Sequence, residues 1–256
     1  MNKFLRVLVV GVFLLTAGKA WAIMSGNPAE VIKADMPHNH GELSLESNFI
    51  FESDIKPDNS SNNQKEEGEW YLVKGTANIT DYLDLYARVG VSHLKHEDKS
   101  QDINEEMDYS LAFGGGAKIL LYEYNPWGLK VTLDSQYYGT FPDIDSVKIG
   151  STTHSGGIQI SYKEHNIQTA LLAQLKTGPV LPYIGVNFSY RNIDNEFTVN
   201  NVKYNLSGEN KNKVGMTVGL DFPFTFEEIV SGTGILSLEG RFIDETGLSI
   251  ALTNRF

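Results

Sequence analysis

From Gly41 onward the chain alternates. Apolar side chains take every second place, and small, polar or charged ones fill the places between. In the last ten residues Leu248, Ile250, Leu252, Asn254 and Phe256 share one face, while Gly247, Ser249, Ala251, Thr253 and Arg255 share the other. A period of two is the period of a β-strand, whose successive side chains point to opposite faces. Ten tilted strand residues are about enough to cross a bilayer. A sheet built from many such strands has one apolar and one polar face, and closing it on itself removes its edges.

The pattern recurs along the chain. Leu43, Leu45, Phe49 and Phe51 oppose Glu42, Ser44, Glu46 and Asn48. Tyr71, Val73, Ala77 and Ile79 oppose Lys74, Thr76 and Asn78, and Leu83 to Val91 oppose Asp84, Tyr86, Arg88 and Ser92. Further runs follow from Tyr109, Leu129, Pro182 and Val214, with a closing hairpin over Ser237 to Phe256 whose polar tip is Asp244 to Gly247. Tight turns are expected at Asp81-Tyr82, Tyr122 to Trp127 and Thr177 to Pro179. Long polar loops are expected over Lys56 to Glu67, Lys95 to Asp108, Phe141 to Gly157 and Asn192 to Asn212. The last holds a small hairpin around Asn200-Asn201, since Asn tolerates the positive φ of a tight turn.

The runs Ile158 to Tyr162 and Ile167 to Leu175 lie on opposite parity. One long strand with a bulge near Glu164 to Asn166 accounts for that, and two separate strands are the alternative. Pro223 to Gly234 is expected to connect the last hairpin, with a helical turn at the capping-box sequence Thr225 to Glu228. The count is ten strands, and an even number returns both ends to one side. The expected fold is all-β: an antiparallel up-and-down transmembrane barrel with long loops at one end and mostly short turns at the other.

Residues 1–22 read as a secretory signal peptide. Lys3 and Arg6 precede an apolar run from Val7 to Ala17, and Ala20-Trp21-Ala22 offers a small-x-small cleavage site. Residues 23–40 read as a periplasmic tail and 41–256 as the barrel. Removing the first 22 residues takes the formal net charge from −11 to −14. Such an acidic chain argues against nucleic acid as a partner. With no cysteine, disulfides, thiolate metal sites and thiol catalysis are excluded.

The closing stretch, LEGRF…DETGLS with its final Phe, resembles the last hairpin of the small porin-like outer-membrane β-barrels of Gram-negative bacteria. The resemblance implies an outer-membrane location, with membrane lipid and lipopolysaccharide around the barrel. It also implies that Leu252 and Phe256 form the signal read by the barrel-assembly machinery. A monomer without a cofactor is expected.

Folding the polar faces inward collects charge in the lumen: Glu46, Lys74, Asp84, Arg88, Lys118, Lys130, Asp134, Arg191, Glu239, Arg241 and Arg255. These form either a mutually neutralised lattice that fills the lumen or the lining of a weakly selective pore. Ten strands leave little more room than eight, where side chains nearly fill the interior. Arg241 and Glu239 are expected to reach Arg88 and Asp84 across the lumen. Tyr82, Tyr122, Tyr124, Trp127, Phe222 and Phe224 cluster at one rim, where an aromatic girdle belongs. The Gly114-Gly115-Gly116 run lacks phosphate-loop spacing, and its inward members make room for large neighbours.

Three function classes follow. The first is a structural or narrow porin-like barrel. The second is a surface-binding barrel whose loops 95–108 and 192–212 engage a partner. The third is a lipid-modifying enzyme. Catalysis is not expected: Ser92-His93 and His154-Ser155 are adjacent pairs, and strand neighbours point to opposite faces. Asp98 and Asp102 beside His93 offer a protease-like set with nothing to fix its geometry. The run His93-x-x-His96-Glu97-Asp98 has ligand chemistry, but no metal is expected in a loop without a defined shell.

Overall fold

The computed structural model describes residues 41–57, 64–99, 101–155, 159–226 and 232–256. The signal-peptide and tail segments lie outside the described residues. Among the described residues fifteen strands form one antiparallel sheet: β1 Gly41–Pro57, β2 Gln64–Thr80, β3 Leu83–Asp98, β4 Ile103–Met107, β5 Ser110–Tyr124, β6 Leu129–Thr140, β7 Ile144–Ile149, β8 Thr152–His154, β9 Gln159–Leu175, β10 Leu181–Val199, β11 Val202–Asn205, β12 Gly208–Asn210, β13 Val214–Phe226, β14 Gly232–Phe242 and β15 Glu245–Arg255. Ten of them close a barrel in the order β1-β2-β3-β5-β6-β9-β10-β13-β14-β15, and β15 returns to β1. The seam is tight: Gly41 N donates to Phe256 O at 3.2 Å, and Phe256 N to Gly41 O at 3.1 Å.

The alternation sorts side chains as the sequence requires. In the lower part of β1, Glu42, Ser44, Glu46 and Asn48 are buried, while Leu43 and Leu45 are exposed. Val73, Leu85, Val89, Leu111, Ile119, Leu171, Ile184, Val186, Val218 and Leu252 continue the exposed apolar row around the barrel. The belt on β5 runs from Phe113 to Tyr122. Ten strand residues tilted by about 40° cover about 25 Å, the height of a bilayer's apolar band.

One end of the barrel carries short connections. Asp81-Tyr82 form a turn, and Asn125–Trp127 form one 3₁₀ turn ended by Gly128 at φ 59°. At the other end the expected loops are largely strand, and this is the main correction to the sequence reading. The loop expected over Lys56 to Glu67 is entered by strand from both sides, because β1 reaches Pro57 and β2 begins at Gln64; residues 58–63 lie outside the described residues. Lys95 to Asp108 is a β3–β4 hairpin, and Phe141 to Gly157 contains β7, which pairs with β4, and β8. Asn192 to Asn212 contains the rest of β10 together with β11 and β12. Its small hairpin turns where expected, with Asn200 at φ 51° and Asn201 at φ 65°.

β9 is a single strand whose register with β10 runs unbroken from Gln159 to Gln174, so the expected bulge is absent. The parity change has another cause, a change in what the inward face meets. Within the belt, most inward residues are polar or charged. Above it, apolar ones join them: Ile50, Trp70, Leu94, Ile103, Met107, Val147, Tyr162, Ile193 and Phe197 belong to one buried cluster. Once the outside of the sheet meets water instead of lipid, the apolar face must turn inward.

Two more readings change. The tip of the last hairpin is Ile243-Asp244, and Asp244 and Glu245 are buried rather than solvated. β13 runs through Thr225 to Phe226 and pairs with β14 at Gly232, so Thr225 opens no helix; residues 227–231 lie outside the described residues.

The hairpin end is lopsided. β14 and β15 stop at the belt's edge, and above them the three-residue β12 bridges β1, at Ile55 to Pro57, and β10, at Asn192 and Ile193. One short strand thus spans the gap left by three, and the barrel narrows where its interior turns apolar.

Candidate functional site

The inward residues form two charged layers, one beneath the apolar cluster and one set within it. The lower layer lies within the belt. Glu46 takes Lys74 Nζ at 3.1 Å and Arg88 Nε at 3.2 Å, all three side chains being buried. Both cations also lie over the Tyr86 ring, at 5.6 and 4.9 Å from its centroid. The Tyr86 hydroxyl donates to Asp134 Oδ1 at 2.5 Å, and Lys118 Nζ stands 4.0 Å from Asp134 Oδ2. Arg88 donates to Gln136, whose amide donates in turn to Gln168 at 2.6 Å. Tyr86 can cross to its partners because Gly116 lies opposite it: a Cβ there would sit 2.4 Å from the Tyr86 hydroxyl.

The upper layer lies at the top of the belt. Arg191 donates to Glu66, sits 3.3 Å from Glu164 Oε1 and holds Glu245 Oε2 at 2.9 Å. Arg241 shares Glu245 at 3.1 Å and faces Glu239 at 3.7 Å. The lipid row of β9 runs from Ile167 to Leu175, and Glu164 lies above it. Burial, followed by repulsion from Glu66, pushes its carboxyl up from 4.5 to about 8. Beyond this layer His96, Glu105 and Tyr162 sit among the apolar residues, with the Asn195 amide donating to Glu105 at 2.6 Å.

The remaining expected site residues have the following places. Asp84 accepts from Asn78 at 3.0 Å, and Arg255 pairs with Glu42 at the seam. Lys130 stands half-buried at the short-turn rim. Glu239 and Arg241 belong to the upper layer, so the expected reach to Arg88 and Asp84 is replaced by Glu245, which the sequence reading had placed in a solvated tip. Glu66, Glu164, Glu245, His96 and Glu105 were missed because each lay in or beside a segment read as loop or bulge. Tyr82, Tyr122, Tyr124, Trp127 and Phe256 are exposed at the short-turn rim, with Phe222 and Phe224 half-buried there. Tyr71, Tyr109, Phe113, Tyr137 and Tyr190 ring the opposite rim, a second girdle not read from the sequence. Its signal was present as an aromatic at the end of each apolar row.

The candidate catalytic and metal groups do not converge. Ser92 points inward and bonds to Thr140 at 2.7 Å, while His93 points outward and stacks on Tyr109 with centroids 5.0 Å apart. His96 faces inward, so the His93-x-x-His96 run divides between two faces. Among the described residues no group of three or more His, Cys, Asp or Glu side chains is placed to hold a metal ion.

Polar inside, apolar outside and closed on itself, this is the fold of an outer-membrane β-barrel. No protein-family model matches the sequence, and no curated protein matches it. Among solved structures, the chain is similar to the outer membrane protease OmpT of Escherichia coli, at TM-score 0.49 and 11% identity over 86% of this chain and 94% of that one. It is also similar to the translocator domain of the autotransporter NalP from Neisseria meningitidis, at 0.44 and 10% over 87% and 90%. An outer membrane channel from Pseudomonas putida follows, at 0.43 and 11% over 90% and 100%.

Proposed function

We propose that the protein is an integral outer-membrane barrel with a sealed lumen, a structural and surface-presenting protein and not a pore. Its hairpin end faces the outside of the cell, where lipopolysaccharide surrounds it, and its terminal strand enters through the barrel-assembly machinery. One observation carries this reading. Apolar side chains fill much of the barrel's upper interior, and Trp70 and Tyr138, in edge-to-face contact at 5.3 Å and both buried, lie between the lower charged layer and the Glu66–Arg191 layer, whose members pair with one another. An ion would have to pass this packed aromatic pair between layers whose charges are already paired, where a bare charge costs several kcal/mol or more. The test is a planar-bilayer recording of the refolded chain. Silence is expected for the wild type, with conductance steps appearing in a Trp70→Ala, Tyr138→Ala double variant. Steady conductance in the wild type would sink the proposal.

A second reading, surface binding, draws on the same end. Segments 95–108 and 192–212 are paired strands, so a partner would meet a surface already ordered, which lowers the entropic cost of binding. No catalytic step is assigned.

A further inference from the structure

Above the belt, β2, β3, β4, β7 and β8 lie side by side and turn one face outward, away from the buried cluster. Cross-strand register sets the outward residues in rows. One row runs Lys65, Glu97, Asn104, Lys148 and Thr153. The next, nearer the belt, runs Glu67, Lys95, Glu106 and Ser146. Neighbouring strands stand about 4.8 Å apart, so five of them make a row of about 19 Å. The two rows line a trough of about 340 Å³, at the small end of the range for ligand sites, about 300–1,000 Å³. Every residue lining it is polar or charged.

Some of these groups are committed within the protein. Lys95 Nζ holds Glu106 at 2.7 Å, Lys65 pairs with Glu52, and Glu97 lies 3.6 Å from Lys99. Others are not. Among the described residues, the side chains of Glu67, Asn104, Ser146, Lys148 and Thr153 make neither a hydrogen bond nor an ion pair. Each stands on a paired strand, so its backbone is already ordered before any ligand arrives.

At the belt-side edge, His93 joins the trough to the aromatic girdle. Its Nε2 lies 3.8 Å from Glu106 and its Nδ1 3.7 Å from Glu69, while its ring stacks on Tyr109. The Tyr109 hydroxyl donates to Glu69, which fixes a ring that stays 59% exposed.

The lining excludes most ligands. On the two outward rows three lysines face three carboxylates, which leaves no surplus of positive charge for a polyanion such as a nucleic acid. No apolar side chain is there to anchor an acyl chain or the centre of a protein interface. What the trough offers is a mixture of donors and acceptors with one uncommitted cation. Sugar hydroxyls match that mixture, because each donates once and accepts twice. The C–H groups on the face of a sugar ring suit the negative face of an aromatic ring.

We propose that this trough binds an acidic saccharide. Lys148 takes the sugar's carboxylate, and Asn104, Ser146 and Thr153 around it exchange hydrogen bonds with hydroxyls. At the opposite end Glu67 accepts from further hydroxyls, and the next sugar unit rests on Tyr109. This inference rests on the surface-binding reading and gives its partner a chemistry. Acidic sugars reach this height from two sources, the core of the surrounding lipopolysaccharide and glycans outside the cell.

Amide shift mapping by NMR of the refolded barrel in micelles tests the proposal. The two probes are a tetrasaccharide of alternating glucuronate and N-acetylglucosamine, and the core oligosaccharide of lipopolysaccharide freed of its acyl chains. Amides 104, 106, 146 and 148 should shift on titration, and the tighter of the two probes identifies the source. Amides 202–205 should not move. Lys148→Ala, an exposed change that leaves the sheet intact, should weaken binding about tenfold, the loss expected for one charge-assisted hydrogen bond. A neutral tetrasaccharide of N-acetylglucosamine should bind the wild type about tenfold more weakly than the acidic probe, for the same reason. No shift with either acidic probe, equal affinity for the neutral chain, or unchanged affinity in Lys148→Ala overturns the site. The surface-binding reading is judged apart. It falls if cells displaying the barrel attach to sugar-bearing and sugar-free protein matrices no better than cells without it, whatever the amides show.

Discussion

Replacing Arg191 with Met removes a guanidinium and keeps most of its length. The charge lost is the shared partner of Glu66, Glu164 and Glu245, all buried, and it comes from three-way contacts of 3.3 Å to Glu164, 2.9 Å to Glu245 and a hydrogen bond to Glu66. Breaking a buried pair by removing one member costs about 3–5 kcal/mol, because the carboxylates left behind have no counter-charge. Arg241 still holds Glu245, which places the expected loss near the lower figure, about 3 kcal/mol, or a factor of about 150 in the folding equilibrium. Urea unfolding of the refolded protein at pH 8, followed by tryptophan fluorescence and gel mobility, measures it. Protons can stand in for the guanidinium, so the penalty should shrink when the same titration is run at pH 5. A loss of equal size at both pH values would refute an electrostatic origin and make Arg191 a packing residue. No loss at pH 8 would mean that water reaches the layer and screens it.

Glu164→Gln should flatten the pH dependence of stability. The folded carboxyl, raised to about 8 against an ordinary 4.5, contributes stability that is fully present below about pH 4.5 and is lost as the pH rises through 8, so the variant should be the more stable protein at alkaline pH. Gly116→Ala should cost about 1–3 kcal/mol in the same assay, since the new methyl meets both the Tyr86 ring and the Ser135 carbonyl 2.5 Å away. Phe256→Ala should lower the amount of barrel assembled in cells while leaving refolding into detergent nearly intact; the reverse pattern would make the ring an ordinary seam contact, packed as it is over Gly41.

The lipid-facing half of this fold was legible because one rule governs it: on Leu43, Leu45, Val89 or Leu252 an outward parity means an apolar residue. The upper wall obeys the opposite rule and so resembled loop. In Lys95 to Asp108 the outward places hold Lys95, Glu97, Asn104 and Glu106, while the inward ones hold His96, Asp98, Ile103, Glu105 and Met107. Averaged over a window, such a strand is as polar as a turn. The parity change between Tyr162 and Ile167 marked the boundary between the two regimes, and a bulge was the wrong account of it. The buried cluster of charges was harder to see for a different reason. Glu66, Glu164 and Glu245 come from strands far apart in sequence, and only closure of the sheet brings them to Arg191.

The bridging strand β12 bears on how the chain completes itself. β1 pairs along one edge with two partners, β15 in the belt and β12 above it, and β12 comes first in the sequence. The small upper ring can therefore close with residues 211–256 still unpaired, joining β1 to β10 before the last three strands exist as a wall. Those strands would then enter a gap whose width is already set, and β13, β14 and β15 would act as an infill measured by a frame. In such an order the last seam to form, Gly41 to Phe256, follows a loop closure already made in water, and the entropy of bringing the two ends of the chain together falls on three residues outside the membrane instead of on the strand inside it.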